Sequence, residues 1–250
     1  MKGNQGAARE VVELQKPRGL FADEAKRAFE EFVFRPEFPC VGAKAAFHGG
    51  SHTVVTYGEL ASEEATTALS TDLSQFAQAI GRTKAHGSHA IDYATFVAIF
   101  EQPLAADEVE FERLFWQQLR RLHRQDAARF EWDPSVSSEP TDPHFSFSFG
   151  GQALYVIGLH ANSSREARQF HWPALVFNPH EQFERLRDDG KWQRMQETIR
   201  TRDMALQGTI NPMLSDFGEK SEARQYSGRA VDEDWRAPFP SMEKKCPFAH

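Results

Sequence analysis

FSFSFGGQALYVIGLH, Phe145–His160, alternates phenylalanine with serine, breaks at two glycines and resumes as an apolar run. Strand side chains point to opposite faces in turn, so Phe145, Phe147 and Phe149 share a face. Gly150-Gly151 tolerates the positive φ angles of a two-residue hairpin turn. With that turn, Phe149 stands opposite Gln152, Phe147 opposite Leu154 and Phe145 opposite Val156, and directly opposed residues share a face. The same register carries Gly158 and His160 onto the phenylalanine face. Such a face suits a flat aromatic ligand lying on Phe147 and Phe149, with clearance at Gly158 and a ligating nitrogen at His160. A core histidine bonded to backbone fits the pattern equally well, and a one-residue slip would reverse the faces.

Outward from this hairpin, helical periods and short strands alternate. Ala22 to Val33 reads as a helix with Phe29, Phe32 and Val33 on one side, stopped by Pro36. In KAAFHGGSHTVVTY two strand-like runs flank Gly49-Gly50, predicting a second hairpin. Ser62 caps a helix through Ala65, Leu69, Leu73, Phe76 and Ile80 that ends at Gly81. Thr95 to Glu101 is a strand. Asp107 starts a long helix through Phe111, Leu114, Phe115, Gln118 and Leu122, whose Arg113, Arg120, Arg121 and Arg124 form a solvated face. Residues 133–143, DPSVSSEPTDP, read as a connector or a lid. Lys191 to Gln207 is a helix closed by Gly208, and the Phe-, Tyr- and Met-bearing segment after it folds back on the core. The fold class is α+β: a single domain over residues 21–240, with antiparallel hairpins forming a sheet packed against several helices. An extension at 1–20 and a tail at 241–250 flank it.

The 250 residues are 40% apolar and 26% charged, with a formal charge of −7. That composition supports a core and excludes disorder as the overall state. An acidic balance without a basic stripe argues against a nucleic-acid partner. No run of about 20 apolar residues offers a bilayer span, and the first residues lack a signal peptide's apolar stretch, so the expected address is cytoplasmic with no membrane partner. Cys40 and Cys246 form no CxxC and no disulfide framework. His48 with His52 and His86 with His89 are paired imidazoles without carboxylates at metalloenzyme spacing. No glycine-rich nucleotide loop follows a strand, so a nicotinamide site or nucleotide hydrolysis is not expected.

Beyond His160, Ser163 and Glu166 stand at capping-box spacing, predicting a short helix with Arg165 and Arg168 on one side. Two guanidiniums next to a histidine on an apolar wall would pair the carboxylates of an otherwise greasy ligand. A pair of surface arginines accounts for the same spacing. Asn178 as N-cap, Pro179 at the first helical position and Glu181 predict a helix running to Gly190. His180 then lies in the first turn, where the helix dipole disfavours protonation, and a neutral imidazole is a competent ligand, acceptor or base.

Several short motifs follow one another in order: Phe38-Pro39-Cys40, Gly158-Leu159-His160, Ser163-Ser164-Arg165 with Arg168, and Val176-Phe177-Asn178-Pro179-His180 with Gln182-Phe183-Glu184 and Leu186-Arg187. Gln207-Gly208, Asn211-Pro212 and Gln225-Tyr226-Ser227-Gly228-Arg229 complete them. From about residue 29 to 239 the chain resembles the YqcI/YcgG family. The resemblance implies a haem-dependent enzyme that N-hydroxylates a guanidino or amino nitrogen of a small amino-acid-like substrate. It implies non-covalent haem b, O2, and electrons from an external reductase or ferredoxin-like partner. In those terms His160 is the axial ligand, with Arg165 and Arg168 on the propionates. His180 is the catalytic residue on the second side or the ligand itself, and Cys40 is a rival ligand because a thiolate supports oxygen activation. A cationic substrate calls for a carboxylate, for which Asp216, Glu219 and Glu222 are candidates. Where the family carries Trp-x-Cys-Pro-Phe, this chain has Trp235-Arg236-Ala237-Pro238-Phe239, and a separate Cys246-Pro247-Phe248 follows. A non-catalytic haem sensor or carrier would use the same pocket.

Overall fold

The computed structural model describes residues 18–85 and 93–240. His86, His89, Cys246-Pro247-Phe248, the tail and most of the N-terminal extension lie outside the described residues. The hairpin forms as its sequence implies: β3 (Phe147–Phe149) pairs antiparallel with β4 (Gln152–Leu159), with Phe147 opposite Leu154 and Phe149 opposite Gln152. Gly150 and Gly151 take φ of +60° and +69°. The ladder stops one pair short of expectation. Ser146 turns its hydroxyl to the Leu154 carbonyl and Phe145 bridges to Ser137, so Val156 is paired on its β5 side only, with Phe177.

Five strands make one sheet in the order β1-β2-β5-β4-β3, adding β1 (His52–Glu59), β2 (Thr95–Gln102) and β5 (Ala174–Pro179). β1 and β2 run parallel, joined through α3 (Glu63–Ala85), and every other pair is antiparallel. The fold is α+β with a mixed sheet. The predicted hairpin at Gly49-Gly50 does not form. Cys40 Sγ accepts the Ala43 amide and starts α2 (Val41–His48), and Gly49 closes it through the Ala45 carbonyl. The first of the two strand-like runs is therefore a helix, because its alanines fit a helical face once the cap is in place. α3 continues through Gly81 to Ala85, since an interior glycine costs only about 1 kcal/mol.

Both faces of the sheet are covered. Phe96, Ala98 and Phe100 of β2, Leu154 and Val156 of β4, and Leu175 and Phe177 of β5 join β3's phenylalanines in a core with α3 and α4 (Glu108–Asp126). The alternate residues Val97, Ile99, Leu159 and Ala174 pack with α1 (Arg18–Phe34) and α2. α5 (His180–Asp188) and α6 (Trp192–Gln207) continue this second side. Residues 133–143 form a hydrogen-bonded connector: Asp133 accepts from Ser135 and from the Ala153 amide, and the Pro140 carbonyl accepts from Ser221. After α6 the chain does fold back. Tyr226 of α7 (Ala223–Tyr226) is fully buried and accepts the Phe147 amide, while Glu112 of α4 holds Ser227 and Arg229.

Gly158 lies where α4 presses on the sheet; a Cβ there would sit 2.6 Å from Phe111 Cε1. Gly158→Ala is expected to lower unfolding free energy by about 1–3 kcal/mol by overpacking, with partial rescue by Phe111→Leu, both read by denaturant titration. The hairpin carries a second test. Both Asp126 oxygens accept the Gly150 amide, and burial pushes the Asp126 pKa up to about 6. A folded pKa above the unfolded value of about 3.9 stabilises at acid pH, and that contribution is lost as pH rises through the folded value. The thermal midpoint of Asp126→Asn minus that of the wild type should grow between pH of about 4 and 7; a pH-independent difference would overturn the assignment.

Candidate functional site

The pleat of β4 sends its side chains into two different environments, and the sequence-predicted site residues divide between them. On the α4 side, the space over Gly158 belongs to Phe111 and Phe115. Phe147 and Phe149 are buried in the same core, where Phe147 meets Trp132, Phe177 and Phe239. His160 does share this face, as its register implies. It is 1% exposed and stacks on Phe111 at 4.3 Å with ring planes 20° apart. Neither ring nitrogen hydrogen-bonds to a described residue, and burial pushes its pKa down to about 4, so the ring is neutral at physiological pH. The ring-shaped clearance expected for a ligand is filled by the protein's own phenylalanine. A macrocycle does not fit there.

The other face opens on a mostly apolar cavity of about 300 Å3, within the range that takes small molecules. Tyr155, Ile157 and Leu159 of β4 and Val176 and Asn178 of β5 form its floor. Phe29 and Val33 of α1 and Cys40, Ala43 and Phe47 of α2 form one wall. α6 closes it: Trp192, Met195, Gln196, Ile199, Arg200 and Asp203, spaced three and four apart, all line the cavity. Of these only Asp203 is buried, so this helix packs over the cavity rather than into a core.

Arg165 and Arg168 both line the cavity, in a way the capping-box spacing misread. Ser163 Oγ accepts the Arg165 amide, and the Glu166 amide is taken by Gln207 Oε1, so only a single 3-10 turn forms at Glu166–Arg168. The two guanidiniums then part. Arg165 is spent on Asp203 at 2.6 Å and on Thr209. Arg168 sends Nη1 to the carbonyls of Gly158 and Tyr226.

Cys40 stands on the cavity wall at the N-terminus of α2, and burial holds its thiol above the ordinary range. His180 opens α5 one residue after Pro179, which ends β5 without a side-chain cap; Asn178 donates to the Tyr155 carbonyl instead. His180 does not line the cavity. Its Nε2 lies 3.3 Å from Glu222 Oε1, and its ring packs on Phe217. Glu222 is buried and does line the cavity, with Oε2 accepting from Tyr226. Asp216 accepts from Gln196 at a half-buried position, and Glu219 is exposed. Residues 133–143 stay clear of the cavity, which leaves the connector reading.

Sequence reasoning missed Thr95, Tyr155, Gln182 and Asp203. Thr95 Oγ1 and Gln182 Oε1 are buried on the wall without hydrogen-bond partners among the described residues, and Tyr155 donates to Gln225. A signal for the cavity was present in the odd residues of β4, apolar on the face opposite the phenylalanines, and in the Trp192, Met195, Ile199 stripe.

The profile of the YqcI/YcgG family matches residues 29–240. The chain belongs to the YqcI/YcgG family. The uncharacterized protein YqcI of Bacillus subtilis (strain 168) is 29% identical over 221 residues, covering 85% of this chain and 83% of the relative. The uncharacterized protein YcgG of the same organism is 27% identical over 220 residues, covering 85% and 81%. No solved structure matches the chain. Of the motif residues by which the chain resembles the YqcI/YcgG family, Cys40, Arg165, Arg168, Asn178, Gln182 and Gln225 line the cavity, whereas His160, His180 and Tyr226-Ser227-Gly228-Arg229 do not. Among the described residues no helix is long and apolar enough to cross a membrane, and no three His, Cys, Asp or Glu side chains gather as a metal site.

Removing one partner of a buried ion pair leaves the other charge uncompensated, at a cost of about 3–5 kcal/mol. Asp203→Asn is expected to lose stability on that scale and to speed amide hydrogen exchange in α6 more than in the sheet. Uniform acceleration would show that Asp203 does not hold α6 over the cavity.

Proposed function

We propose that the protein is a haem-b-dependent N-oxygenase whose cofactor occupies the cavity beneath α6, with Cys40 as the iron ligand. The observation that carries this reading is the Cys40 thiol on an apolar wall, at a helix N-terminus, with Sγ already accepting the Ala43 amide. Burial keeps the free thiol neutral. A coordinated metal deprotonates a thiol, and an amide donor with a helix N-terminus stabilises the thiolate that results. The walls are apolar, as a macrocycle requires, and because haem is larger than the cavity of about 300 Å3, α6 would have to lift to admit it. His160 is separated from this cavity by the sheet, and His180 stands behind Glu222, which favours Cys40 over both.

A haem held by Cys40 would supply oxygen activation, with electrons from an external reductase or ferredoxin-like donor. The chain's own groups supply the rest. α6 covers the cavity and limits its access to water. Glu222 offers a buried carboxylate to a cationic substrate nitrogen, with His180 Nε2 3.3 Å behind it. Asp216 and Glu219 are turned to other partners and take no part.

Protein produced with a haem supply should show a Soret band whose ferrous–CO maximum reports a thiolate ligand. Cys40→Ser, which keeps an N-cap oxygen, should lose that signature, and His160→Ala should leave it unchanged. Product formation from L-arginine with O2 and a reductant separates the enzyme from a haem carrier or sensor, which would bind without turnover. Absence of a Soret band under haem supply would overturn the reading.

A further inference from the structure

We propose that Arg168 is the receptor for a carboxylate or similar oxyanion carried by the cavity's ligand, an inference that rests on reading the cavity as a ligand site. Arg168 lines the cavity and is 9% exposed. Among the described residues its hydrogen bonds leave only from Nη1, to the Gly158 carbonyl at 3.4 Å and the Tyr226 carbonyl at 3.0 Å. Among the described residues no carboxylate lies within ion-pair distance of it. The charged groups nearby are committed elsewhere: Asp203 binds Arg165 and the Asn211 amide, and Glu108 binds Ser164. Tyr155 is a neutral phenol, since burial raises its pKa.

A buried cation is costly unless an opposite charge or several strong hydrogen bonds offset its desolvation. Arg168 has two carbonyl dipoles and no anion, yet a guanidinium stays protonated in proteins. The backbone is shaped to admit it. Gly228 sits at φ +93°, and a Cβ there would lie 2.8 Å from Arg168 Cδ. With the stem confined in that way, Nε and Nη2 keep unspent donors, the pair that binds a carboxylate in parallel. Arg165 differs in that Asp203 already offsets its charge and takes its Nη2. The carboxylate has two sources, a propionate of the macrocycle or the carboxylate of an amino-acid-like substrate.

The first arm of the test needs no haem. Ligand-free protein is titrated with the apolar sulfonate 1-anilinonaphthalene-8-sulfonate and with neutral N-phenyl-1-naphthylamine. The wild type should prefer the sulfonate by about tenfold or more, on the scale of a charge-assisted hydrogen bond. Arg168→Gln should lose the preference and Arg168→Lys should keep part of it. Equal binding of both probes by the wild type, or a wild-type preference in Arg168→Gln, overturns the proposal. If Arg168→Gln does not fold, the wild type and Arg168→Lys carry the same comparison. This arm stands even when no haem binds, so it fails separately from the proposed function. On protein that takes haem, haemin against its dimethyl ester and L-arginine against agmatine locate the source. Arg168→Gln weakens haemin alone if a propionate is bound, and the L-arginine spectral shift alone if the substrate carboxylate is.

Discussion

β4 lies between β5 and β3, and its pleat assigns neighbouring residues to opposite sides of the sheet. Leu154, Val156 and Gly158 face α3 and α4, where packing is closed to the point that Gly158 has no room for a methyl group. Tyr155 and Ile157 face the other way and are only half-buried, as are Val176 and Asn178 beside them on β5. In a central strand, half-burial on one face marks a place where the covering layer does not touch the sheet. The cavity is that gap. Everything else in the candidate site depends on this division, since α1, α2 and α6 enclose the open side.

The charged groups follow the same division. On the closed side, Glu112 holds Arg229 and brings the final segment against α4, and His160 is kept neutral against Phe111. On the open side, Arg165 and Asp203 form a buried pair that fixes the end of α6 to the turn after β4. Buried pairs of this kind are weak as net stabilisers and strong as constraints on geometry, because breaking one strands a charge. The Arg165–Asp203 pair positions a helix whose inner stripe of Trp192, Met195 and Ile199 stands over a cavity rather than in a core.

Much of the fold was legible because local patterns coincide with what packing demands. The Phe145, Phe147, Phe149 alternation and Gly150-Gly151 specify the hairpin and its register, and Gly208, at φ +73°, ends α6 where the sequence places the stop. Gly49-Gly50 misled, since a glycine pair closes a helix as readily as it turns a hairpin, and Cys40 is an unusual cap to recognise. The Ser163–Glu166 spacing misled for a different reason. Gln207, 41 positions away from Glu166, takes the amide that a capping box would have used.

The sequence by itself determined the class of the fold, the long helices and the face that His160 and Gly158 share, because each follows from periodicity within one segment. It also held the family motifs in order. Only the tertiary structure decided what lies against that face. The same Gly158 serves a ligand or a phenylalanine equally well until α4 is placed, and Phe111 is 47 positions earlier in the chain. The candidate site therefore lies across the sheet, where Cys40, Arg168 and Glu222 line the cavity from α2, the turn after β4 and the edge of α7. Residues so far apart carry no shared period, and only the packing of those elements brings them to one cavity.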